Sequence, residues 1–177
     1  MFIHIRDLEL KPVRFDVELP PGSIEFLDPK LKQSAPLHAS GQAELVIAAL
    51  REIRVKGQVQ VGLQMECDRC LEPTVFPVDS SFELYYRPVA DGYGEEKSLD
   101  AGEAEMGFYE GDGLELNDVL REFVLLALPM RKLCDENCKG ICPVCGQNRN
   151  QSECSCPTAA SDDRWTALKE IRKNAES

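Results

Sequence analysis

Apolar and polar positions alternate with period two through most of the first half of the chain. In residues 13–19, Val13, Phe15, Val17 and Leu19 face one way while Arg14, Asp16 and Glu18 face the other, the pattern of a half-buried strand. Residues 2–10, with Phe2, Ile3, Ile5, Leu8 and Leu10, follow the rhythm more loosely and are read as a preceding strand. Pro20, Pro21 and Gly22 stop the pairing, and the stretch up to Leu37 reads as a connecting loop with a short extended piece at 24–27. Alternation resumes over 42–49 and over 52–66, where Val55, Val59, Val61, Leu63 and Met65 share a face. The chain then bends through Pro73, and residues 78–86 complete a third run. These three segments predict an antiparallel meander, two arms of which are joined by the turn carrying Cys67 and Cys70.

Helical spacing takes over later. Asn117 reads as an N-cap, with Asp118 placed well for the helix dipole, and the helix runs through Leu128 to a stop at Pro129. Its second half, FVLLAL, is apolar all round, which predicts burial on most sides. Ser161, Asp162 and Asp163 begin a last helix whose stripe of Trp165, Leu168 and Ile171 is read as docking on the parent domain. Between the third strand and the first helix, residues 88–113 hold six glycines and many acids. They read as a long loop enclosing a short strand at 106–109. The fold class is α+β: an antiparallel sheet or partly open barrel packed on one buried helix, followed by a cysteine-rich knuckle and a C-terminal helix. Residues 1–133 form the β-rich domain, with its helix at 117–128, and residues 134–177 the cysteine-rich segment.

Charge narrows the choice of partner. The formal net charge is -11, and residues 73–128 supply most of it, with thirteen acids against three Lys or Arg. An acidic face repels phosphate, so the whole surface is not a nucleic-acid grip. The segment from 129 on is nearly balanced, and Arg131, Lys132, Lys139 and Arg149 within it are the candidates for touching RNA. No run approaches the roughly 20 apolar residues of a membrane helix, and residues 1–12 do not have the pattern of a signal peptide. The expectation is a soluble cytoplasmic protein with no membrane contact.

Eight cysteines then change the picture. Six lie in CDENCKGICPVCGQNRNQSECSC and two in the upstream CDRC. Thiols in CxxC, CxxxC and CxC pairs in a reducing compartment point to metal rather than to disulfides. Cys142, Cys145, Cys154 and Cys156 form a locally closed set, with Pro143 stiffening the turn and Gly146 letting it fold back. Cys134 and Cys138 lack a local partner pair, so a second, long-range set with Cys67 and Cys70 is predicted. Spacing alone leaves open a pairing of Cys67 and Cys70 with the CPVCG knuckle. All-sulfur tetrahedra suit zinc best, iron being the alternative, so the cofactor is Zn²⁺, two per chain.

Chemistry at these sites is not expected. Catalytic zinc keeps an open position and usually a histidine, whereas His4 and His38 each stand alone here. No phosphate-binding loop, dinucleotide fingerprint or nucleophile elbow is present, so an enzyme with a small-molecule substrate is not indicated. The combination of CDRC, LREFVLLALPM, CKGICPVCG and the final DDRWTALKEI resembles the YceD family, linked to accumulation of large-subunit ribosomal RNA. Some members of that family carry histidines where this chain has Cys134 and Cys138, a swap of one zinc ligand for another. The resemblance implies a bacterial cytoplasmic factor that supports maturation of large-subunit ribosomal RNA, with no catalytic residues to carry over. Its partner is then that RNA or a pre-ribosomal particle. The acidic middle of the chain suggests a second role, as a holder for a basic ribosomal protein.

Overall fold

The computed structural model describes residues 1–26, 28–89 and 106–157, and they divide into two compact units. The first comprises Met1–Glu66 and Pro73–Lys132; the second comprises Cys67–Glu72 and the chain from Leu133. The predicted last helix and its Trp165 stripe lie outside the described residues, as does the middle of the predicted acidic loop.

The sheet unit is built on β4 (Leu37–Ile47), β5 (Glu52–Glu66) and β6 (Pro73–Pro88), three antiparallel neighbours. β2 (Val13–Leu19) pairs with β4, and the two-residue β3 (Lys32–Gln33) pairs with the far end of β5. β7 (Met106–Tyr109) joins β6 in parallel, Tyr85 opposite Met106, so the sheet is mixed rather than antiparallel throughout. Its order, β2-β4-β5-β6-β7, does not close on itself, which makes it an open sheet and not a barrel. β5 shows why the strands form: Ile53, Val55, Val59, Val61, Leu63 and Met65 are all buried and point to one face.

Several local expectations need correction. Residues 2–10 are not one strand: β1 (Phe2–His4) pairs with β8 (Gly113–Glu115), and Ile5–Leu10 is a short helix, α1. Ile5 and Leu8, three apart, both bury on one side of that turn while Arg6, Asp7, Glu9 and Leu10 face out, so helical spacing wins over loose alternation. The piece at 24–26 is no strand, although Ile24 is buried in the core; Leu27 is outside the described residues. The chain does not bend at Pro73 ahead of a separate run: Pro73 is the first residue of β6, a position where a missing N–H is tolerated, and the strand is continuous to Pro88.

The long helix, α2, spans Leu116–Ala127, with Glu115 and not Asn117 at its N-cap and no side-chain capping bond. It is not buried all round: Leu116, Val119, Leu120 and Val124 face the core, whereas Leu126 is 72% exposed. Phe123 of α2 meets Phe82 of β6 at 5.0 Å between ring centres, and the buried Glu52 of β5 is matched by Arg87 at 2.8 Å.

One close approach fixes how tightly the central strands lie. Gly41 and Gly57 stand opposite each other on β4 and β5. A Cβ on Gly57 would lie 2.3 Å from the Ser40 carbonyl oxygen, while Gly111, at φ +76°, opens on empty space. Gly57→Ala should therefore cost about 3 kcal/mol through overpacking, read as a drop of roughly 10 °C in thermal melting. Gly111→Ala should cost only about 1 kcal/mol, from backbone strain alone; equal losses in the two variants would refute the steric account.

Candidate metal centres

The second unit starts from two turns of the same construction. In CDRC, the Leu71 N–H donates to the Cys67 carbonyl at 2.9 Å, with Leu71 in the left-handed region at φ 61°. In CPVCG, the Gly146 N–H donates to the Cys142 carbonyl at 2.9 Å, with Gly146 at φ 75°. Each turn folds backbone N–H groups toward the first sulfur of its pair. The Cys67 N–H donates to the Glu72 carbonyl and so closes the first turn.

Cys134 and Cys138 complete the first cluster. The Cys67 and Cys138 sulfurs are 3.8 Å apart and those of Cys70 and Cys134 are 3.6 Å apart. All four lie within 4.8 Å of one another. Four sulfurs bonded at about 2.3 Å to a central zinc would be about 3.8 Å apart in a regular tetrahedron, whereas a disulfide needs about 2.05 Å. The donor set therefore fits a tetrahedral metal and not a cross-link. Cys142, Cys145, Cys154 and Cys156 form the second cluster, with the same 4.8 Å limit. The structure thus brings the CDRC pair to Cys134 and Cys138 and leaves the CPVCG pair with the CxC pair.

Residues that carry no thiol hold these sulfurs in place, and the cysteine spacing gives no hint of them. Arg69 donates from Nη1 to the Cys138 carbonyl at 2.9 Å, and the Ile141 N–H donates to the Arg69 carbonyl at 3.0 Å. Asn150 donates from Nδ2 to the Cys138 sulfur at 3.2 Å and accepts the Lys139 N–H at 2.7 Å. Glu72 accepts from the amides of Asn148 and Gln151, tying the polar loop between Cys145 and Cys154 back to the first turn. Gly140, at φ 71°, lets the chain pass where a Cβ would lie 2.9 Å from the Arg69 carbonyl oxygen. The run QNRNQS marks a loop rich in amides that can both donate and accept, but not which groups they meet.

The thiols within each cluster differ in acidity. Burial works against ionising Cys67, but the N–H groups of Cys70, Cys134 and Arg69 outweigh it and bring the thiol down to about 6. The N–H groups of Cys145 and Val144 bring Cys142 down to about 6 as well. Cys138 is lowered chiefly by the Asn150 amide. Cys134, facing first Cys70 and then Cys138, is pushed up to about 12, and Cys156, facing Cys145, likewise to about 12. Each cluster is therefore part thiolate and part thiol until a cation draws off the remaining protons.

Lys139 and Arg149, two of the cationic candidates, are exposed and share a hollow of about 300 Å³ with Glu153 and Cys154 of this unit. Arg131 and Lys132 belong to the sheet unit, Arg131 exposed and Lys132 half-buried.

Residues 55–172 match the family of the large ribosomal RNA subunit accumulation protein YceD, a span that includes all eight cysteines and α2. The chain belongs to the YceD family. Among curated proteins it is similar to the chloroplastic YCED homolog 1 of Arabidopsis thaliana, 24% identical over 153 residues. That alignment covers 74% of this chain and 48% of the relative. The homologue from Zea mays, also described as chloroplastic, is 26% identical over 130 residues, covering 59% of this chain and 44% of the relative. The chain thus spans about half the length of the curated relatives it matches. No solved structure matches it.

Because Cys134 and Cys156 hold their protons at neutral pH, metal uptake must release protons, and acid favours the metal-free form. Metal affinity should fall by roughly tenfold per pH unit for each proton released, measured by competition with a chelator between pH 6 and 8. A flat profile would contradict the thiol assignment.

Proposed function

We propose that this chain is a non-catalytic factor that supports accumulation of large-subunit ribosomal RNA, its cysteine unit folded around two structural zinc ions. The observation that carries the reading is the family match over residues 55–172, which takes in both four-cysteine clusters. Four thiolates fill a tetrahedral ion, leaving no position for substrate or activated water, so the metals hold structure. Cytoplasmic reducing conditions would keep the thiols free to bind metal. Within this reading Lys139 and Arg149, exposed side by side over the second cluster, contact phosphate, with Arg131 and Lys132 as further candidates. A second reading, a holder for a basic ribosomal protein, is favoured by residues 73–128, with thirteen acids against three Lys or Arg.

Two measurements test the proposal. Metal analysis of the purified chain should find two zinc ions, and Cys67→Ser with Cys70→Ser should leave one; loss of both, or of neither, would refute two separate centres. On a density gradient, the tagged protein should travel with large-subunit precursors and lose that association on ribonuclease treatment. Lys139→Glu with Arg149→Glu should weaken RNA binding about tenfold and reduce its salt dependence. Migration at the top of the gradient with a small basic protein bound would favour the holder instead.

A further inference from the structure

Residues 139–142 lead from the first cysteine cluster to the second, and they lie paired against residues 147–150. The Lys139 N–H donates to the Asn150 side-chain oxygen at 2.7 Å, the Arg149 N–H to the Gly140 carbonyl at 2.9 Å, and the Cys142 N–H to the Gln147 carbonyl at 2.8 Å. Ile141 and Asn148 form an antiparallel bridge between them. The pairing thus begins beside Cys138 of the first cluster and ends at Cys142 of the second.

The loop that supplies the second strand of this pairing is enclosed by Cys145 and Cys154, both members of the second cluster. Its amide side chains are nevertheless fastened to the first. Asn150 donates from Nδ2 to the Cys138 sulfur at 3.2 Å. Glu72, just after the CDRC turn, accepts at Oε1 from Asn148 at 3.2 Å and from Gln151 at 3.1 Å. Apolar burial does little to order the loop, since Ile141 and Val144 are exposed. Two sites that order a shared segment each spare the other part of the ordering cost, and the effect is reciprocal.

We infer that the two cysteine centres are coupled: filling either one orders the paired segments 139–142 and 147–150 and raises the metal affinity of the other. Glu72 and Asn150 are the positioning residues that carry the coupling. The inference rests on the reading of both clusters as metal centres and adds that they do not load independently. Glu72 separates coupling from direct support, because its side chain bonds to loop amides and to no sulfur.

The test equilibrates the full zinc-loaded chain with increasing EDTA in a reducing, thiol-free buffer, then pulses it with N-ethylmaleimide and maps the labelled peptides by mass. Labelling of Cys154 and Cys156 reports the second centre, and labelling of Cys67 and Cys70 the first. With Cys67→Ser and Cys70→Ser the second centre should stay filled without chelator but give up zinc at about tenfold less EDTA. Reciprocity requires a similar shift of the first centre, read at Cys134 and Cys138, with Cys142→Ser and Cys145→Ser, which keeps the inference testable if the first pair of changes disturbs folding. Glu72→Ala should weaken the second centre about threefold in the otherwise intact chain and leave it unchanged when Cys67 and Cys70 are already serine. Glu72→Gln, which keeps an acceptor oxygen, should restore most of the loss. Equal midpoints with and without the opposite centre would overturn the coupling alone. A Glu72→Ala loss of the same size in both backgrounds would also overturn it, showing a local stabilising role. Absence of zinc protection at every cysteine would instead overturn the metal reading, and this inference with it.

Discussion

Four sulfurs within 4.8 Å of one another cannot all be charged without a cation among them, and the cysteine unit depends on that constraint twice. Its buried apolar cluster among the described residues consists of Cys67, Cys70 and Cys138, with Leu133 packed against them. Ile141, Val144 and Leu71 instead face out. Among the described residues the inside of this unit is made of its thiols, so a metal bound at the clusters would contribute its binding free energy to folding. The sheet unit stands on other terms. Ile53, Val55, Val59, Leu63, Leu116, Leu120 and Val124 are almost wholly removed from water there, and ordinary apolar burial suffices.

The backbone prepares the thiols unevenly. Cys67 and Cys142, the first residue of each CxxC, collect the N–H groups of their own turns and are acidic before any ion arrives. Cys134 and Cys156 face other thiols of their clusters, Cys70 and Cys145 first, and stay protonated. In each cluster an incoming cation would thus meet a preformed anionic corner and recruit the other sulfurs as their protons leave. Arg69, from the first turn, and Asn150, from the polar loop, both fasten the short stretch around Cys138 and so hold its sulfur in place.

Much of the fold was legible because strands with one buried face write their period into the sequence. Residues 13–19 and 52–66 are observed as the strands their alternation implies. Where the signal failed, a second periodicity or a non-local partner was involved. Ile5 and Leu8 satisfy helical spacing as well as loose alternation. The parallel pairing of β7 with β6 is set by a non-local register, which no local pattern records. Leu126 looks like a core residue by type and is exposed because only one stripe of α2 meets the sheet. Spacing offered Cys67 and Cys70 as a pair but left open whether they would meet Cys134 and Cys138 or the CPVCG knuckle; the fold groups them with Cys134 and Cys138. The supporting contacts of Arg69, Gly140 and Asn150 were not, because hydrogen bonds of this range depend on the finished backbone.

The two knuckles pose a sharper comparison. Both place the residue after the second cysteine in the left-handed region and make the same 2.9 Å bond to the first cysteine's carbonyl. Glycine does so without strain, as at Gly146; a leucine there costs on the order of 1 kcal/mol or more. Leu71 bears that cost with a side chain 56% exposed, so apolar burial recovers little of it within this chain. The first knuckle thus carries a local backbone strain that the second does not, and the Leu71 and Cys67 N–H bonds that close it are what hold the chain in that conformation.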